Sequence, residues 1–141
     1  MASLVDRRQG TQGEERSLEA APPGPALSTP YCRAVLEFEG ENGLVRFTGA
    51  LLDVESAPLA PFLDKVHASL LERGCREVTL DFRSFEMMSP VAFNAFVNWV
   101  LMLETMRSPI PYRLRLLTAP ERSWQRVALY VLQGLGGDVL V

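Results

Sequence analysis

Between residues 33 and 48 apolar and polar side chains alternate with a period of two. Ala34, Leu36 and Phe38 alternate with Arg33, Glu37 and Glu39, and Val45 and Phe47 with Arg46 and Thr48. This alternation predicts two half-buried strands, "AVLEFE" (34–39) and "LVRFT" (44–48). The "GENG" between them (40–43) contains an Asn-Gly pair, a strong hairpin signal. The same period returns in "EVTLDF" (77–82) and "YRLRLL" (112–117). Strands covered on both faces read as continuous apolar runs. The alternation therefore predicts a sheet with helices mainly on one face and paired charges on the other.

Elsewhere the period lengthens to that of a helix. "PLAPFLDKVHASLLERG" (58–74) sets Leu59, Phe62, Leu63, Val66 and Leu70 on one face and ends in Gly74, a residue suited to close a helix. Ser89 and Pro90 open a second helix as cap and first residue. "SWQRVALYVLQGLGG" (123–137) predicts a third, with Trp124, Val127, Val131 and Leu135 in line, before a short strand "DVLV" (138–141). The order is ββαβαβα(β), an α/β plan whose later strands are joined by helical crossovers and run parallel. Residues 1–30 hold four of the ten prolines, mixed charges and no apolar period, and are expected to form a disordered tail.

The second helix, "SPVAFNAFVNWVLMLETM" (89–106), is apolar around most of its circumference. Phe93, Phe96, Trp99, Val100 and Leu103, with Ala92 and Ala95, form a broad core-facing arc. Asn94, Asn98 and Thr105 share a narrow stripe flanked by Val91, Leu101 and Met102. A surface helix normally fills such a stripe with charge. Uncharged amides edged by methionine and leucine suit the centre of a protein interface, where charge is depleted. The bland alternative is a helix half covered by its own loops or tail.

Composition narrows the function classes. Hydrophobic residues make up 48% and charged residues 22% of 141, an ordinary globular balance for one domain. A net charge of −3 and a pI near 5.2 argue against a nucleic-acid partner, which demands concentrated positive charge. Leu4, Val5 and Leu18 are the only large aliphatics among the first 25 residues, too few for a signal-peptide apolar region. The run 91–103 is shorter than the roughly 20 residues needed to span a bilayer. No membrane partner and a cytoplasmic location are expected. Cys32 and Cys75, 43 residues apart without a metal-ligand spacing, are expected as reduced thiols.

The element order and two local sequences resemble STAS-domain proteins, the anti-sigma-factor-antagonist-like modules of bacteria, and most of all their short stand-alone regulators. "VTLDFRSFEMMSPVAFNAFVNWV" is similar to the family's apolar strand ending in Leu-Asp, its loop, its Asp/Asn-Ser-Ser-Gly motif and its helix. "SWQRVALYVLQGLGGDVLV" is similar to its last helix and final strand. The resemblance covers residues 33 to 141 and implies a STAS-like domain over 31–141. Its fold would be α/β, a mixed four- to five-stranded sheet in the order ββαβαβαβ with helices mainly on one face. Aligned from "LDF" without gaps, the family's motif falls on Ser89-Pro90-Val91-Ala92, which puts Pro90 and Val91 at the two serine positions. The regulatory phosphoacceptor is thus missing. Ser89 keeps a capping role and is the remaining candidate phosphosite.

Chemistry-bearing residues are otherwise sparse. His67, the single histidine, lies beside Asp64 and Lys65 and is expected at the surface. No second histidine or cysteine is in register with it for a metal. "GLGGD" (134–138) follows a helix and precedes a strand, the reverse of a phosphate cradle. Asp53, Asp81 and Glu86 are scattered, and one histidine completes no catalytic triad with them. No enzyme activity, cofactor or metal is expected. The leading reading is a non-enzymatic regulatory module. It would bind a protein through the 86–90 loop (Glu86, Met87, Met88, Ser89) and the stripe Asn94, Asn98, Leu101, Met102. The resemblance implies an anti-sigma protein of switch-kinase type, a phosphatase or another signalling protein as partner. Two alternatives stay open: a small-ligand or nucleotide-binding domain, and a homodimer that buries the same stripe on itself.

Overall fold

A computed structural model describes residues 24–106 and 109–141. The elements run β1 (Ala26–Ser28), β2 (Cys32–Glu39), β3 (Asn42–Leu51), a 3₁₀ turn (Asp53–Glu55), α1 (Leu59–Arg73), β4 (Glu77–Met88), α2 (Pro90–Thr105), β5 (Arg113–Leu117) and α3 (Ser123–Leu135). The five strands lie side by side in chain order. β1, β2 and β3 pair antiparallel, whereas β3–β4 and β4–β5 pair parallel. Successive right-handed crossovers progressing in one direction put each helix on the same face. The α/β class, the mixed sheet and the one-sided helical cover are therefore as expected.

The bare face carries the polar half of each strand. Arg46 reaches Asp81 at 3.5 Å and Glu37 at 4.0 Å, Arg83 holds Asp81 at 2.9 Å, and Arg115 meets Glu77 at 2.8 Å. The Arg83 hydrogen bonds hold the Asp81 carboxyl below its ordinary value although burial opposes them. On the covered face, Phe47 makes edge contacts with Phe82 and Phe96, at 5.4 and 5.6 Å between centroids, and stacks on Phe85 at 5.2 Å. These rings fill the space under α2.

Several boundaries differ from those expected. Ala26–Ser28 is a strand, with Leu27 opposite Ala34 and 3% exposed, so the boundary at residue 30 is too late. The edge of β2 supplies these hydrogen-bond partners, which composition does not reveal. Residues 1–23 of the expected tail lie outside the described residues. The hairpin turns at Gly40-Glu41, with Gly40 at φ 63°, rather than at Asn42-Gly43. Gly43 serves packing instead, because a Cβ there would lie 2.8 Å from Leu70 Cδ2 of α1. The expected last strand is reduced to a single parallel bridge between Leu114 and Leu140.

α3 is rotated from its expected face. Its buried positions are Gln125, Ala128 and Leu132, whereas Val127, Val131 and Leu135 are exposed and Trp124 is half-buried. The cause lies in β4. This strand continues seven residues beyond Asp81, where its pairing with β5 ends at Leu117. Two register shifts against β3 accompany the extension, so Phe82 and Phe85, three apart, both face the core. Carbonyls on the β5 side of that extension have no strand beside them. Gln125 Nε2 donates to Phe82 O at 2.6 Å and Phe85 O at 2.9 Å, and Trp124 Nε1 donates to Glu86 O at 3.0 Å. Satisfying buried carbonyls outweighs burying one more apolar side chain.

Candidate functional site

Glu86, Met87 and Met88 are the end of β4, not a loop, and Ser89 follows as the cap of α2. Ala50 and Leu51 of β3 lie opposite Met87 and Met88. The 3₁₀ turn that follows β3 packs against α2. Met87, Val91 and Val54 of this turn are 53%, 54% and 87% exposed, so one end of the domain presents three uncovered apolar side chains on rigid elements. Val54 was missed from the sequence. Its exposure depends on a turn that no periodicity marks.

α2 is the middle helix, in contact with both α1 and α3. This accounts for most of its apolar circumference. Ala92, Phe96, Trp99, Val100 and Leu103 are buried, as expected, while Phe93 and Ala95 are half-buried. On the α3 side, Val100 packs so close to Gly136 that a Cβ there would stand 2.5 Å from Val100 Cγ1. On the α1 side a crevice of about 260 Å³ is lined by Ala60, Asp64, Ala95, Asn98, Trp99 and Met102. Met102, expected on the outer stripe, is half-buried at this crevice. The outer stripe consists of Val91, Asn94, Asn98, Leu101 and Thr105, spaced three and four residues apart and all exposed. None of the five is charged.

Ser89 sits at the junction of these surfaces but faces inward, 8% exposed. Its Oγ accepts the Ala92 N–H at 3.2 Å and lies 3.1 Å from Ser56 Oγ. Ser56, 5% exposed, donates its own hydrogen to Leu52 O at 2.8 Å. The proton between the serines must therefore come from Ser89. A chain runs from Ala92 N–H through both hydroxyls to Leu52 C=O, in which each hydroxyl donates once and accepts once. Ser89 N–H in turn donates to Leu51 O at 2.9 Å. Ser89→Ala should cost about 1–2 kcal/mol in a denaturant titration, because it removes the cap and orphans the Ser56 acceptor.

His67 also departs from expectation. It is half-buried, and its Nδ1 lies 2.6 Å from the hydroxyl of Tyr112, which is 1% exposed. That hydroxyl accepts the Trp99 indole N–H at 2.8 Å. Donation from the Tyr112 hydroxyl to His67 satisfies its one hydrogen in this buried setting, and it pairs with a neutral ring that carries its proton on Nε2. Burial lowers the His67 pKa, opposed by Asp64, and burial raises that of Tyr112. The three side chains tie α1, α2 and the start of β5 together.

The remaining candidates do not converge. Cys32 and Cys75 are free and buried, and burial with Glu55 nearby pushes the Cys32 thiol up to about 11. Among the described residues no group of histidine, cysteine and carboxylate side chains is placed to hold a metal. No described helix is long and apolar enough to cross a membrane. Glycines 134, 136 and 137 lie at the C-terminal end of α3. Asp81 belongs to the bare sheet face.

No protein-family model and no curated protein matches the chain. A solved structure does. The crystal structure of an anti-sigma factor antagonist from Mycobacterium paratuberculosis superposes with a TM-score of 0.53, covering 78% of this chain and 87% of its own, at 13% identity. The fold is STAS-like. Within it Ser89 is a structural cap, and Pro90 and Val91, the next two residues of α2, carry no hydroxyl.

Proposed function

We propose that this protein is a non-enzymatic regulatory module that binds another protein through the end of β4 and the outer stripe of α2. The observation that carries this reading is the uncharged, exposed row Val91, Asn94, Asn98, Leu101 and Thr105, continued by Met87 and Val54. Charge depletion with apolar anchors on rigid elements is what the centre of an interface requires. Likeness of fold to an anti-sigma factor antagonist supports an anti-sigma protein of switch-kinase type as partner, with a phosphatase or another signalling protein as the further members of the class. Met102 contributes from the crevice edge, and Glu86 sets one charged border.

Binding by this surface is constitutive and not switched at Ser89. Its hydroxyl is committed on both sides to the chain between Ala92 and Leu52, and Pro90 and Val91 offer no acceptor. The test is affinity capture from the native host with the full chain, identification by mass spectrometry, and titration of the captured protein against variants. Asn98→Arg and Met87→Glu should each weaken binding at least about tenfold, since each places an unpaired charge in the contact. Unchanged affinity for both would remove this surface from consideration. Phosphate found on Ser89 in protein from the host would overturn the unswitched reading.

A further inference from the structure

The rotation of α3 that buries Gln125 leaves an apolar face turned outward. Val127, Tyr130, Val131 and Leu135 are 64%, 79%, 37% and 39% exposed. Arg126 is the one charged residue within the helix, and Asp138 is exposed three residues beyond its end. We propose that this face is a self-association surface, on which α3 of a second copy of the chain packs antiparallel about a two-fold axis near Val131.

The residues are complementary to themselves in that arrangement, whereas a parallel one would set Arg126 against Arg126 and Asp138 against Asp138. Val127 and Leu135 are equidistant from Val131, so each meets the other across the axis while Val131 meets its own copy. Tyr130 and Gly134 are symmetric about the neighbouring position, a shift of about 1.5 Å along the helix. The largest exposed ring therefore lies over a glycine whose Cβ direction is open space. Arg126 lies in the first turn and Asp138 in the turn that follows the helix, so an antiparallel neighbour sets each cationic end beside the anionic end of the other copy. Arg126 spends one N–H on Pro120 O at 3.2 Å and has others free for this contact.

Helix dipoles favour the same geometry. A cation in the first turn and an anion past the last turn both have the wrong sign for their own helix. An antiparallel neighbour sets each against an opposite charge and the opposite helix end. A contact confined to one helix of each copy belongs to the weak class of interface, so the dimer is concentration-dependent and not permanent. This surface is separate from the outer stripe of α2, and the proposal does not rest on the partner reading.

Sedimentation velocity of the full chain from low to high micromolar concentration tests it. The weight-average mass should rise from monomer towards dimer. Val131→Arg, at a solvent-facing position, should raise the dissociation constant at least about tenfold by setting two charges against each other on the axis. Arg126→Glu and Asp138→Arg should each weaken association about fivefold, and the double variant should recover it. Circular dichroism melts on every variant establish that the fold is retained. A monomer at every concentration, a dimer that survives Val131→Arg, or a double variant no better than the singles would overturn the proposal.

Discussion

Gln125→Leu is expected to be the most damaging single substitution in the domain, lowering stability by about 3–5 kcal/mol. The side chain is 0% exposed and makes three bonds to backbone: it accepts Ala119 N–H at 2.7 Å and donates to Phe82 O and Phe85 O. Leucine is similar in size, so the loss comes from stranded polar groups and not from a cavity. Each buried backbone group left without a partner costs about 1–3 kcal/mol. The consequence reaches the proposed site, because Gln125 and Trp124 hold the part of β4 that ends in Met87 and Met88. A thermal or urea melt checks the magnitude. Loss of less than about 1 kcal/mol would mean that the strand extension is held by its pairing with β3 alone.

The second large effect is expected at Tyr112. Tyr112→Phe keeps the ring among its neighbours but strands the Trp99 indole N–H and His67 Nδ1, at a cost of about 2–3 kcal/mol. A pH dependence accompanies it. The folded His67 pKa lies below its ordinary value of 6.5, with burial as the main cause. The unfolded chain therefore binds that proton first as pH falls. Stability from this group is complete above pH 6.5, declines as pH drops from there towards the folded pKa, and is level below it. Melts of the wild type and His67→Gln across this range should differ in slope, with the variant flatter. Equal slopes would show that His67 is not held neutral by the fold. Because Trp99 and Met102 line the crevice between α1 and α2, acid loosening of this junction would be felt beside the outer stripe.

The proposed surface was partly legible in advance. Asn94, Asn98 and Leu101 are exposed on one row because helical geometry repeats every 3.6 residues, and no distant contact is needed to read that. Ser89 as cap of α2 is equally local, a hydroxyl three residues from the N–H that it accepts. Met102 falls beside the outer row because it is one turn from Asn98 in projection, and the approach of α1 turns that position into a crevice wall. Glu86–Met88 reads as a loop in the sequence because the alternation breaks after Phe82, at the adjacent polar pair Arg83-Ser84. The break is a register shift within a continuing strand.

What the chain specifies locally is therefore the alternation of β2 to β5, the buried arc of α2, the Gly74 terminus of α1 and the Ser89-Pro90 start of α2. Each follows from neighbours two to four residues away. The strand at Ala26–Ser28, the inward turn of Gln125, the union of His67 with Tyr112 and the pairing of Ser56 with Ser89 were decided by the tertiary structure. Their partners lie between 7 and 45 positions away in sequence, at Ala34, Phe82, Tyr112 and Ser89. A buried polar group goes where a complementary group has been left open. Where that opening falls depends on the point at which one strand outruns its neighbour, which only the assembled sheet determines.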